Sequence, residues 1–212
     1  MKRWFVVLTG VVLVLSWPTG FAASPGDVLI VEVGADPASA AGITEPAGEF
    51  IEIYNNTAST INLNGWTIND NGATTITLPS IDLEAGRILV IIADPATLGT
   101  PNGYGCAGSP NTPLYHQPAA WFTGNLSNTG DRVILADNAA TQIDALSYGT
   151  DTTIFNPSAP DAFDNSGATL QRETYNTNFT DTDTADDWNV SVGAGSPCDV
   201  GPNALTLRSL RA

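Results

Sequence analysis

The stretch from Glu49 to Asp70 constrains this chain most. It opens with Glu49-Phe-Ile-Glu-Ile-Tyr-Asn55, which sets Ile51 and Ile53 on one face and Phe50, Glu52 and Tyr54 on the other. A short polar turn follows. The second run, Thr60 to Ile68, is rich in Thr and Ile and carries Asn64-Gly65 just before Trp66. Apolar residues at period two, with turn chemistry between the runs, predict two paired strands with Ile51, Ile53 and Trp66 in the core. Glu49 and Glu52 stand three apart on a strand, so they point to opposite faces and do not form an acid–base pair. Glu52 shares its face with Phe50 and Tyr54, which predicts a partly exposed surface available for binding.

The same grammar recurs along the chain. Asp27 to Val33 is a nearly continuous apolar strand, Thr74 to Leu78 a short one closed by Pro79, and Arg87 to Ala93 a buried central one. Arg132–Asp137 and Gln142–Tyr148 form a hairpin across Asn138–Thr141, and Thr169–Arg172 adds a short strand. Between them lie long irregular stretches, 94–123 and 150–167. No stretch sustains helical periodicity. Short strands spaced by turn signals predict an all-β fold, a β-sandwich with long irregular loops.

The first 22 residues stand apart from that pattern. Lys2-Arg3, an apolar run from Trp4 to Leu15, and small residues at Gly20 and Ala22 predict a secretory signal peptide cleaved after Ala22. An uncleaved anchor is the alternative, but the run is short for the ~20 residues of a spanning helix, so no stable membrane span is expected after cleavage. No Cys follows the site, so a lipid anchor is not expected. Cleavage removes two basic residues and takes the formal charge from −15 to −17. Only Arg87, Arg132, Arg172, Arg208 and Arg211 remain as cations. A phosphate backbone rewards clustered Lys and Arg, so nucleic acid is an unlikely partner. Export also bears on the two cysteines. In an oxidising compartment Cys106 and Cys198 are expected to pair. The closed loop is long, and in the chain-entropy account such a bridge contributes about 4–5 kcal/mol.

Four motifs bear on chemistry. Gly103-Tyr-Gly-Cys-Ala-Gly108 spells a dinucleotide loop, but prolines flank it and no helix pattern follows, so it reads as a glycine-rich loop. Thr180-Asp-Thr-Asp-Thr-Ala-Asp-Asp187 offers Asp181, Asp183, Asp186 and Asp187 to calcium. It lacks the Gly and Glu positions of an EF-hand, which leaves a loose surface site or a solvated polar loop. His116 is the single histidine, without a nucleophile motif or metal-ligand spacing around it. With Tyr104, Tyr115, Trp121 and Phe122 it forms a candidate recognition surface on the 94–123 loop. The other reading is that these aromatics fold back over the edge of the sandwich.

Seven blocks in order carry a family resemblance: Val28–Val33, Glu49–Asn55, Leu63-Asn-Gly-Trp-Thr-Ile-Asn-Asp70, Ile76–Pro79, Leu83–Ile92, Leu126-Ser-Asn-Thr-Gly-Asp-Arg-Val-Ile-Leu135, and Ile143–Gly149. They resemble the lamin-tail domain, in its bacterial secreted form, over about residues 27–150. Leu170-Gln-Arg172, Trp188 and Gly195-Ser-Pro197 match more weakly. The resemblance implies an immunoglobulin-like β-sandwich. It further implies that Gly65 takes a positive φ, that Trp66 plugs the core and that Gly130-Asp131 makes a hairpin turn. It supplies no catalytic set.

The expected organisation is a signal peptide over 1–22, one domain over 23–199 and a short tail over 200–212. The expected function is a secreted, non-catalytic module, without a cofactor, that binds or tethers an extracellular protein or surface polymer. The alternatives are a calcium-stabilised adhesion domain and a DNA-binding accessory domain of an exported hydrolase.

Overall fold

A computed structural model describes residues 23–37, 43–99, 114–161, 167–175, 178–191 and 197. The strands, in chain order, are β1 (Val28–Gly34), β2 (Phe50–Asn55), β3 (Ile61–Asn62), β4 (Thr67–Asn69), β5 (Thr75–Thr77), β6 (Asp82–Leu83), β7 (Ile88–Ile92), β8 (Leu114–His116), β9 (Gly130–Ala136), β10 (Gln142–Gly149), β11 (Leu170–Arg172), β12 (Thr174–Tyr175), β13 (Asn178–Phe179) and β14 (Trp188–Val190). A single helical turn, α1 (Ala96–Gly99), follows β7, and a 3-10 turn spans Ala185–Asp187.

Two sheets face each other. The larger runs β14-β11-β1-β2-β7-β8 and the smaller β10-β9-β4-β5. Their inner faces meet in one core that includes Val28, Ile30, Val33, Ile51, Ile53, Leu89 and Ile91 from the first sheet. Ile68, Ile76, Val133, Leu135 and Leu146 come from the second. Ile51 and Ile53 are fully buried, as their alternation predicts, and each contributes about 1.5–3 kcal/mol by leaving water. This is the β-sandwich that the strand grammar predicts, of the immunoglobulin-like kind that the family resemblance implies.

The 49–70 stretch, however, does not form a pair with itself. β2 pairs with β1 and β7, whereas β4 pairs with β5 and β9 in the other sheet. The chain crosses between sheets through β3, which pairs only with β6 among the described residues. The crossing closes on a tight turn in which the Trp66 amide donates to the Leu63 carbonyl (3.0 Å) and Gly65 sits at φ +78°. That turn drops the Trp66 ring between the sheets. The period-two signal thus holds for β2, whereas the 60–68 run is not one strand but splits into β3 and β4 in different sheets, because a turn of this kind serves a sheet switch as well as a hairpin.

Two further expectations are corrected. Gly130 begins β9 rather than occupying a turn, and it lies opposite Gly149. A Cβ at Gly130 would meet the Thr150 nitrogen at 2.3 Å, so close approach explains the glycine there. The face bearing Phe50, Glu52 and Tyr54 is not a partly exposed surface. Leu29, Val31, Phe50, Ile88, Val90 and Ile92 form a second apolar layer on the outside of the large sheet, with Leu98 of α1 packed on it. Phe179 meets Tyr54 edge-on at 4.9 Å, and Glu52 is buried in this layer.

Candidate functional site

The large sheet carries a defect that organises its surroundings. Between Ile30 and Glu32 the β1–β2 register slips by one residue, so Ile30 and Val33 both face the core. A bulge leaves ladder groups unmet. Here two side chains meet them. The Ile30 amide donates to Asp144 Oδ2 of β10 at 2.6 Å, and the Ile30 carbonyl accepts from Arg172 Nε of β11 at 2.7 Å. Arg172 Nη2 then reaches the same Asp144 oxygen at 2.6 Å. Its Nη1 bonds Asp181 Oδ1 at 3.0 Å and the Thr180 carbonyl at 3.2 Å, with Asp187 Oδ2 at 3.8 Å. The guanidinium lies over the Trp188 ring, 4.8 Å from its centroid. Arg172 is buried, and the planar fork of arginine suits several fixed acceptors at once.

This geometry settles where the aspartate run lies. Asp181 is spent on Arg172. Asp187 is buried and accepts from the Thr182 amide (2.7 Å) and hydroxyl (2.8 Å), pinning the loop to the 3-10 turn. The run is therefore not simply a solvated loop. Asp183, at φ +55°, and Asp186 are exposed. Asp144, Asp181 and Asp183 each offer an oxygen, all within 4.8 Å of one another, which is metal-like spacing. The Arg172 guanidinium already bonds two of those three carboxylates. Burial pushes the Asp144 carboxyl up to about 6, and the Arg172 charge holds it from rising further. Neither Asp144 nor Arg172 stands out in the sequence, because they are 28 residues apart and in different sheets.

A second buried acid is Glu49, with no exposed surface. Its Oε2 accepts from the Trp121 indole Nε1 at 2.6 Å and from the Leu126 amide at 2.9 Å. Its Oε1 is buried without a hydrogen-bond partner. Loss of water raises its pKa to about 8, the two donors oppose that, and Glu45 and Asp131 add to it. Asp131 in turn accepts from the Asn71, Ser127 and Arg132 amides, and Tyr148 donates its hydroxyl to the Ser127 carbonyl at 3.0 Å.

The candidate aromatic surface does not come together as one patch. Phe122 is in the core, where its ring lies 5.1 Å from that of Trp121. Trp121 is half-buried and tied to Glu49. His116 is half-buried within β8, and burial lowers its pKa. Tyr115 is 51% and Leu114 39% exposed, on the strand that runs parallel to β7 at the end of the large sheet. Tyr104, Cys106 and Cys198 lie outside the described residues, as do 1–22 and the tail from 200. Among the described residues no helix is long and apolar enough to cross a membrane.

The buried acids Glu49, Asp144 and Asp187 are thus engaged within the fold by main-chain amides, the Trp121 indole, the Thr182 hydroxyl and Arg172. The chain is similar to a DUF4876 family protein from Bacteroides thetaiotaomicron, whose crystal structure shares 13% identity at a TM-score of 0.49. The match covers 82% of this chain and 72% of that one. No curated protein matches. The profile of the family described as Lamin Tail Domain matches residues 22–150, more than half of the sequence and all seven blocks read above. The chain belongs to the lamin tail domain family.

Proposed function

We propose that this lamin-tail β-sandwich is a non-catalytic module that works outside the cell, where it binds or tethers a surface partner through the edge built on β8. One observation carries the reading. The large apolar side chains most open to solvent among the described residues are Leu114 and Tyr115 on β8 and Val190 on β14. These two strands are the ends of the large sheet. Sheet ends and exposed aromatics are where extended partners dock. The internal use of Glu49, Asp144 and Arg172 fits a scaffold, and the basic, apolar leader of the sequence fits export.

The test is binding of the fluorescently labelled chain to intact producing cells and to their isolated surface polymers. Tyr115→Ser and Leu114→Ser are expected to weaken binding at least several-fold with the melting temperature unchanged. Equal binding by both variants overturns the assignment of the edge. Turnover of phosphate esters, nucleic acid or glycans that a point substitution abolishes overturns the non-catalytic reading.

The calcium alternative rests on the spacing of Asp144, Asp181 and Asp183. Against it, Arg172 supplies the positive charge at that place. The DNA alternative has less support, because Arg132 is paired with Asp151 and Arg172 is buried.

A further inference from the structure

An asparagine side chain closes most readily onto the next backbone nitrogen when a glycine follows, because no Cβ blocks the approach. The described residues hold two such pairs, Asn64-Gly65 and Asn71-Gly72, each with its asparagine exposed. Asn102-Gly103 lies outside them. The two described pairs differ in what holds the glycine N–H. In the sheet-crossing turn the Gly65 amide donates to the Leu78 carbonyl at 3.0 Å, and a carbonyl is no base. In the β4–β5 turn the Gly72 amide donates to Asp70 Oδ1 at 2.8 Å, an acceptor that can take the proton. A Cβ at Gly72 would stand 3.0 Å from both Asp70 oxygens and 3.2 Å from the Thr123 carbonyl, so any other residue would crowd the carboxylate. Burial raises the Asp70 pKa, the Gly72 amide opposes this, and Asp131 adds to it. The turn is pinned on both sides of the pair. The Asn71 amide donates to Asp131 Oδ1 at 2.9 Å, and the Thr74 and Thr123 hydroxyls lie 2.7 Å apart.

We propose that Asn71-Gly72 is a self-modifying site, in which the asparagine converts to an acid with Asp70 as general base. Asp70 takes the Gly72 N–H proton as that nitrogen attacks Asn71 Cγ. The new N–C bond closes a succinimide ring. The bond from Cγ to the side-chain nitrogen breaks, and that nitrogen leaves as ammonia with the proton that Asp70 held. Water then opens the ring to aspartate or isoaspartate. The sum is asparagine and water to acid and ammonia, with Asp70 regenerated. The product sets a third carboxylate in a turn that already holds Asp70 and Asp131, so conversion works against the turn that promotes it.

The test incubates the full chain near neutral pH, folded and in concentrated urea, and follows each Asn-Gly pair by peptide mapping with mass spectrometry. Asn64-Gly65 is the internal control. In the folded chain, conversion at Asn71 is expected to run about tenfold or more faster than at Asn64. It is also expected to run faster than at Asn71 in urea, where Asp70 no longer faces the amide. Asp70→Asn keeps an oxygen acceptor but removes the base, and is expected to slow Asn71 by a similar factor and leave Asn64 unchanged. Folded Asn71 no faster than Asn64, or no faster than unfolded Asn71, overturns the proposal, and that comparison needs no variant to fold. An unchanged or faster rate at Asn71 in a folded Asp70→Asn chain overturns it as well.

Discussion

Replacing Arg172 with Met keeps most of the side-chain volume and removes the charge. The structure sets the scale of the loss. Asp144 is left buried with its Oδ2 bonded only to the Ile30 amide, and the Ile30 and Thr180 carbonyls lose a donor. Removing one partner of a buried ion pair costs about 3–5 kcal/mol. For a domain of this size that is a fall of about 10 °C in melting temperature, at roughly 2–4 °C per kcal/mol.

The pH dependence is the sharper part. The folded-state pKa of Asp144 is raised, to about 6, so its contribution to stability declines as pH climbs from the unfolded value to about 6 and then levels off. Without Arg172 the carboxyl rises further, and the variant keeps losing stability where the wild type has stopped. The deficit is therefore expected to widen by up to about 1.4 kcal/mol per pH unit above about pH 6, and to stay constant below it. Urea denaturation of both proteins between about pH 5 and about pH 8 measures this. A deficit under about 1 kcal/mol, or one that does not change across that range, would refute the argument that Arg172 holds a buried carboxylate in its charged form.

Three other outcomes follow from the packing. Trp66→Ala removes the ring that fills the sheet crossing and is expected to cost about 3–5 kcal/mol by urea denaturation. Gly130→Ala should destabilise by several kcal/mol, since the new methyl meets the Thr150 nitrogen at 2.3 Å; thermal melting reads the effect. The melting temperature should stay within about 1 °C between millimolar calcium and a chelator, because the Arg172 guanidinium already bonds Asp144 and Asp181, two of the three carboxylates an ion would need. A rise of several degrees with calcium would place an ion there despite the arginine.

Local periodicity made the individual strands legible. β1, β2, β7, β9 and β10 fall where apolar alternation or continuous apolar runs place them, and Gly65 takes the positive φ that the family resemblance implies. Partnership was harder to read. Nothing local in 60–68 says that β4 leaves β2 for β9, because the deciding contacts are remote. The buried acids were opaque for the same reason. Alternation puts Glu49 on the face of Ile51 and Ile53 but does not show that Trp121 and Leu126, 72 and 77 residues away, donate to it. Phe122 and Tyr115 are similar in kind and neighbours in sequence, yet one fills the core and the other faces solvent. No periodic signal in a loop of prolines and glycines separates them.

The Arg172 cluster also bears on where the folding unit ends. The family profile stops at residue 150, but β11 and β14 continue the same sheet beyond β1. Arg172 reaches back from that later segment to the bulge of β1 and to β10 of the opposite sheet. A chain cut after residue 150 would bare the β1 edge along Glu32 and Val33 and leave Asp144 without its cation. The piece that family comparison recognises is thus shorter than the sheet to which it contributes. This chain, transplanted by its recognised borders, would carry an open strand edge and an unpaired buried acid with it.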